Sequence, residues 1–303
     1  MAQRLSFHDQ IQKNKLKSFI LISIIFIFFL ILGYVISLIL DPSYFFIIMI
    51  ISIIFSLSYT LISYYNSDKI ALLSVGAKPA SKTEHAAFYH AAENMSLASG
   101  LPMPRLYVMN SDEINGFASG RNPENAVICM TTGSLKKLSK QELEGVISHE
   151  MSHIANYDIR FMTLTAILIG MISIIAEFFL RSLWFSSLGE RNKDGRIQIA
   201  LILIGIIFAI LAPLVANLVS LAISRKREFT ADATGVKFTR YPPGLANALR
   251  KIKSEHISEK ERKHRFAKAL APLFISDPFK KKIQNIFSTH PSIDERISRL
   301  ERM

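Results

Sequence analysis

His149-Glu150-Met151-Ser152-His153 lies where a soluble stretch of the chain gives way to a long apolar one. Residues four apart on a helix share a face, so both imidazoles can reach one metal ion. Glu150, one position round from His149, can reach a water at that metal. Two neutral histidines and a carboxylate that accepts the proton of an attacking water form the zinc metalloprotease arrangement. A five-residue motif also arises by chance on solvated helices, so the rest of the chain must supply what the site needs. Immediately upstream, Ser139-Lys140-Gln141-Glu142 reads as a capping box, and Leu143, Val146, Ile147 and Ile154 give an apolar stripe. A buried amphipathic helix is expected here whether or not metal binds.

Catalytic zinc usually keeps three protein ligands and one open position. A third histidine in the extended H-E-x-x-H-x-x-G-x-x-H pattern would need Gly and His where the chain has Asn156 and Ile159, which excludes that class. The ligand must come from elsewhere, and Glu228 with Asp232 offers two carboxylates on one helical face, one to ligate and one to bond an imidazole. Beside Arg225 and Lys226, the same pair also reads as surface acids at a membrane boundary.

The chain has 303 residues, 50% of them hydrophobic, and a net charge of +12; its mean hydropathy is +0.28. That is too apolar for an ordinary soluble domain and indicates a membrane protein with soluble parts. The basic balance fits loops attracted to anionic lipid; no basic helix interleaved with aromatics is present, so no nucleic-acid partner is expected. Cys129 is the single cysteine. It permits no intrachain disulfide and reads as a buried strand residue.

Ser18 to Leu40 is uncharged for 23 residues, about 34 Å of helix and enough to cross a bilayer. After Asp41-Pro42-Ser43 a second uncharged run, Tyr44 to Tyr65, completes an antiparallel hairpin (1–66). The basic N-terminus puts both ends of this hairpin in the cytoplasm. Residues 67–158 form the first part of a soluble domain, with a helix opened by Ser81-Lys82-Thr83-Glu84, strands at Arg105 to Met109 and Ala126 to Thr131, and a loop or hairpin between them. A second hairpin over 159–223 follows, from Phe161 to Leu180, where Glu177 pairs with Arg181, and from Ile197 to Ile223, kinked at Pro213. It either crosses the bilayer or packs on protein. Residues 224–303 complete the soluble domain, with helices started by Tyr241-Pro242-Pro243-Gly244 and Ser292-Ile293-Asp294-Glu295.

An even number of crossings between His149 and Glu228 returns both to one side of the membrane. Glu228 is five residues past Ile223, roughly 8 Å along a continuing helix. The site is therefore expected just above the cytoplasmic bilayer surface.

Over nearly its full length the chain resembles the HtpX-type membrane zinc metalloproteases, relatives of the CAAX prenyl endopeptidases. The resemblance is carried by the paired N-terminal spans, Asn115-Gly116-Phe117-Ala118-Ser119-Gly120-Arg121-Asn122-Pro123, Thr131-Thr132-Gly133, Glu142 to Val146, Asn156-Tyr157-Asp158, Arg225 to Asp232, Ser288-Thr289-His290-Pro291-Ser292 and Glu295-Arg296-Ile297. Gly116 departs from the family's usual alanine. The resemblance implies a mainly α membrane protein with two apolar helical hairpins and a cytoplasmic α+β, gluzincin-like protease domain. It further implies a bacterial inner-membrane enzyme that cleaves misfolded or membrane-associated proteins. In that reading His149, His153 and Glu228 hold one Zn²⁺ per chain and Glu150 is the general base. His290 donates to the developing oxyanion, Asp232 orients a ligand, Asn156 and Asp158 brace the catalytic helix, and Asn115, Gly116, Phe117 and Ala118 form the edge on which substrate adds as a strand. Two other readings remain: a prenyl-protein endopeptidase, separable by a lipidated peptide assayed beside an unmodified unfolded protein, and a non-enzymatic membrane protein with structural zinc. A lone cysteine makes a closed structural site hard to build.

Overall fold

The computed structural model describes residues 7–39, 42–172, 205, 225–255, 273–275 and 291–303. Helix α1 (Phe7–Ile39) begins eleven residues before the uncharged run. The basic segment 7–17 contains no glycine or proline and is rich in good helix formers, so it extends the span as helix. A 3-10 turn, Pro42–Tyr44, leads into α2 (Phe45–Tyr65). The two helices pack antiparallel, and a Cβ on Gly33 would lie 1.9 Å from Ser52 Oγ. Ser56 Oγ donates to Phe26 O at 3.0 Å.

The burial pattern of α2 is that of a helix in lipid: Ser56, Thr60 and Ser63 are its buried residues, while Phe46 is 77% and Ile51 62% exposed. A helix that hides its hydroxyls and presents its isoleucines suits a hydrocarbon solvent, where apolar surface costs nothing and polar groups must find partners. Ile11–Ser37 and Phe45–Tyr65 are both long and apolar enough to span a bilayer.

Beyond α3 (Ser67–Ser74) the chain forms a four-stranded sheet in the order β1-β2-β4-β3. The strands are β1 (Lys78–Pro79), β2 (Arg105–Met109), β3 (Gly116–Gly120) and β4 (Ala126–Thr131). β2 and β4 run parallel, and β3 returns antiparallel to β4 with Phe117 opposite Cys129. The two sequence-predicted strands are present, and the segment read as a loop or hairpin contains β3. Helix α4 (Ala86–Ser99) starts later than its apparent capping box. Ser81 Oγ does accept from Glu84 N at 3.4 Å, but the His85 imidazole, not the Glu84 carboxylate, takes the Ser81 N–H at 3.1 Å. Residues 82–85 are therefore a turn.

After α5 (Thr132–Lys137) comes α6 (Lys140–Ala155), whose capping box closes in both directions: Ser139 N donates to Glu142 Oε2 at 2.7 Å and Glu142 N to Ser139 Oγ at 3.4 Å. The sequence stripe predicts one buried face, yet α6 is buried nearly all round from Glu142 to Ala155. It is enclosed by the sheet, α4, α8 (Arg225–Thr239) and α9 (Pro242–Ser254). Two glycines permit this enclosure. A Cβ on Gly145 would stand 2.5 Å from Leu245 N, and one on Gly235 would stand 3.1 Å from His149 N.

Residues 158–172 are helical (α7), and α10 (Ile293–Leu300) closes the described chain, its Ser292 Oγ accepting from Glu295 N at 3.1 Å. α7 packs on α1: Leu21, Ile25 and Phe28 meet Phe161, Leu164 and Leu168. Most of the predicted second hairpin, with Glu177, Arg181 and Pro213, lies outside the described residues, as do His256, His264 and Lys280 to Lys282.

Candidate metal centre

The i, i+4 spacing on α6 sets the two histidine rings edge to face, with centroids 4.8 Å apart and planes at 88°. Their Nε2 atoms converge to 3.3 Å. Two nitrogen ligands on one tetrahedral zinc lie about 3.3 Å apart, given metal–nitrogen bonds of about 2.05 Å. The close approach at Gly235 lays α8 against α6, so Glu228 and Asp232 reach the same place. Glu228 Oε2 is 3.6 Å from His149 Nε2, and its Oε1 is 3.8 Å from His153 Nε2. His149, His153 and Glu228 thus form a buried trio whose ligand atoms lie within 4.8 Å of one another.

The remaining ring nitrogens face carboxylates. His149 Nδ1 is 2.9 Å from Asp232 Oδ1, and His153 Nδ1 is 3.0 Å from Asp158 Oδ2. A carboxylate on Nδ1 fixes the proton there and leaves the Nε2 lone pair for a metal, so the donor set fits one. Asp158 reaches His153 because Asn156 caps α6 and Tyr157 takes a left-handed conformation, φ 59°, that turns the chain back. Asn156 contributes its backbone carbonyl, which accepts from Asn14 Nδ2 at 3.0 Å; its side-chain Oδ1 is buried without a partner among the described residues.

The sequence reading left Arg296 without a role, and the structure puts it at the centre. Its side chain is fully buried. Nε donates to Asp232 Oδ2 at 2.9 Å and one terminal nitrogen to Oδ1 at 2.7 Å. The other terminal nitrogen lies 3.6 Å from Glu228, and the guanidinium rests against the His149 ring, 3.3 Å from Nδ1. On a short capped helix an arginine reads as solvated; only its place in the quoted Glu295-Arg296-Ile297 stretch marked it. Arg227 and Asn14, which both bind Asp158, were likewise missed.

These charges set the protonation of the metal-free centre. Burial and Arg296 pull the His149 pKa down, but the hydrogen bonds that the ring donates to Asp232 and Glu228 outweigh them and hold it up at about 9. Burial pushes Glu228 up, yet His149, His153 and Arg296 keep it well below the usual carboxylate value. For Glu150 burial wins: its carboxyl is raised despite both histidines and a hydrogen bond from the Ala118 backbone.

That hydrogen bond brings β3 to the site. Asn115, Gly116, Phe117 and Ala118 are all buried, and the outer edge of β3 is bridged by Phe274, with Ile275 N donating to Gly116 O at 3.0 Å. His290 lies outside the described residues, so its predicted approach to the site does too. His85, bonded to the Ser81 backbone, and His90, exposed beside Glu93, stand apart from the centre.

Residues 82–303 match peptidase family M48. The chain is 47% identical over 253 residues to a protease HtpX homolog of Caldanaerobacter subterraneus subsp. tengcongensis, covering 82% of this chain and 83% of that one. It is 39% identical over 298 residues to a protease HtpX homolog of Dictyoglomus thermophilum, covering 98% of this chain and 95% of that one. The crystal structure of S. mikatae Ste24p superposes with a TM-score of 0.47 at 18% identity, covering 82% of this chain and 57% of that chain. The family match over most of the chain and the full-length relatives agree with the resemblance read from the motifs: the chain belongs to peptidase family M48 and is an HtpX-type membrane metalloprotease.

Proposed function

We propose that the chain is a zinc-dependent membrane endopeptidase in which His149, His153 and Glu228 hold one Zn²⁺ and Glu150 moves the protons. The observation that carries this is the convergence of two Nε2 atoms, 3.3 Å apart, on the Glu228 carboxylate. Bound zinc supplies Lewis-acid polarisation of the scissile carbonyl and lowers the pKa of water toward about 7. Glu150, raised by burial, takes the proton of the attacking water and passes it to the leaving amine. Asp232 and Asp158 hold the imidazoles in the tautomer that leaves Nε2 free.

The substrate lies along the outer edge of β3 as an added strand, at Asn115 to Ala118, with Phe274 and Ile275 moving aside from the edge they now bridge. His290 donates to the developing oxyanion. The centre sits on the cytoplasmic side of a bacterial inner membrane, where Asn14, inside the span-length segment Ile11–Ser37, touches the loop after α6. Its substrates there are misfolded and membrane-associated proteins.

The test is Glu150→Gln, purified in detergent and loaded with zinc, assayed on a casein-like unfolded protein. The rate is expected to fall by about a hundredfold to ten-thousandfold with zinc retained. A wild-type rate would remove Glu150 from the chemistry.

A further inference from the structure

The stripe of α1 that packs on α7 is apolar from Leu21 onward, but one and two turns earlier it carries buried Ser18 and Asn14. Ser18 Oγ satisfies itself on the Asn14 carbonyl of its own helix at 2.8 Å. Asn14 does not. Its Nδ2 donates one hydrogen to Asn156 O at 3.0 Å and the other to Asp158 Oδ1 at 2.7 Å. Both partners are obligate acceptors, so the amide must face them with its NH₂, and both its hydrogens are used.

Asp158 is thereby held at three points: Asn14 and the Arg227 Nε, 3.0 Å away, on Oδ1, and His153 Nδ1, 3.0 Å away, on Oδ2. Without Asn14, Arg227 and His153 are the hydrogen-bonding partners left to the carboxylate among the described residues, and the His153 ring is free to follow Arg227. For docking α1, a leucine at position 14 would serve better, since burying an amide among apolar groups costs stability that its hydrogen bonds only offset. The group therefore belongs to the metal centre and not to the helix interface.

We infer that Asn14 is a positioning residue of the metal centre, which couples docking of the first membrane helix to the orientation of the metal ligand His153 through Asp158. The inference rests on the proposed zinc site. It makes the membrane helix a part of the catalytic centre, since the Asp158 side chain is fully held only when α1 is docked.

The experiment measures zinc affinity of the purified full-length chain by competition with a chelating dye, together with kcat and KM at saturating zinc. Asn14→Leu, which keeps the apolar docking and removes both donors, is expected to bind zinc tenfold to a hundredfold more weakly, the range for residues that orient metal ligands. Its kcat should fall with KM unchanged. Asn14→Asp, of the same shape but with an acceptor facing Asp158, should lose more. Leu21→Ala loosens the same helix interface two turns along and should lower the melting temperature while leaving zinc affinity at the wild-type value. Wild-type zinc affinity in both Asn14 variants overturns the inference, as does an equal loss in Leu21→Ala. His153→Ala tests the underlying site: retained zinc there sinks the site itself, whereas lost zinc there with normal Asn14 variants sinks only the coupling.

Discussion

His149 and His153 are one turn apart on one helix, present the same Nε2 and are backed by the same kind of group, yet different parts of the molecule hold them. Behind His149 stands Asp232, clamped by Arg296 from α10 in a two-point hydrogen bond, every atom of it on α6, α8 and α10. Behind His153 stands Asp158, whose anchors are Arg227 at the start of α8 and Asn14 on the span-length helix α1. One half of the centre is closed by a buried ion pair and the other by a joint with the span-length helix α1. The difference teaches that the pairing of the two histidines is local to α6, whereas their orientation is borrowed from distant elements on two sides.

The largest expected effect comes from removing the cation on each side. Arg296→Leu leaves Asp232 and Glu228 buried with their strongest countercharge gone, and breaking such a pair costs about 3–5 kcal/mol. Arg227→Leu should cost clearly less, because Asn14 still bonds Asp158 and because Arg227 sits nearer the surface, 9% exposed against 1% for Arg296. Unfolding of the metal-free chain in detergent measures both, and equal losses would erase the contrast between the halves.

Neutralising the carboxylates comes next. Asp232→Asn and Asp158→Asn should each weaken zinc binding by about tenfold to a hundredfold. Asp232→Asn should lie at the upper end, since it leaves the Arg296 cation against the His149 ring with only the looser Glu228 contact, 3.6 Å away, to balance it. A larger loss in Asp158→Asn would reverse the ranking.

Acidity separates the halves in another way. In the metal-free chain His149 holds its proton up to about pH 9. Zinc needs the neutral ring, so apparent affinity should drop about tenfold per unit as pH falls below that value. Stability of the metal-free chain runs oppositely. The raised pKa gives stability that is fully present below the ordinary 6.5 and is lost as pH rises through about 9. Competition titrations between pH 6 and pH 10 give the inflection, about 9 for wild type. It should move down in Asp232→Asn and stay in place in Asp158→Asn; a shift in the second would mean the two ligands are not independently held.

Much of this was legible in the chain because it was local. The capping box at Ser139, the i, i+4 histidines and the uncharged runs are each read from a few neighbouring residues, and β2 and β4 from short apolar stretches. Glu228 and Asp232 needed one further argument, that an even number of crossings returns the chain to the side it left. Arg296, Arg227 and Asn14 were illegible because each serves a partner 64 or more residues away and carries the composition of a solvated segment. The late start of α4 had a different cause: an imidazole at His85 took the bond that the capping-box pattern assigns to Glu84. The sequence also read α6 as one-sided, because the polar residues off the stripe look solvated, whereas His149, Glu150 and His153 turn to the centre and Glu142 and Ser148 are held by the helix cap and the Gly145 carbonyl.

The smallest expected effect is also the most one-sided. Gly235 lies one turn beyond Asp232 on α8, and a Cβ there would stand 3.0 Å from Ser148 Oγ and 3.1 Å from the His149 backbone nitrogen. The hydroxyl can rotate, but it is committed to Gly145 O at 2.7 Å, and the nitrogen belongs to a helix enclosed on all sides. Gly235→Ala should therefore push α8 outward by a few tenths of an ångström, at a cost of about 1–2 kcal/mol for overpacking. The displacement acts on Glu228 and Asp232 together and draws both from His149, while Asp158 and Asn14 stay with His153. Zinc affinity should fall a few-fold with the inflection near pH 9 moving down, because His149 loses part of the two bonds that hold its proton. A variant that binds zinc more weakly with its inflection unmoved would show that the crossing of α6 and α8 positions only Glu228, and that Arg296 alone keeps Asp232 on the ring.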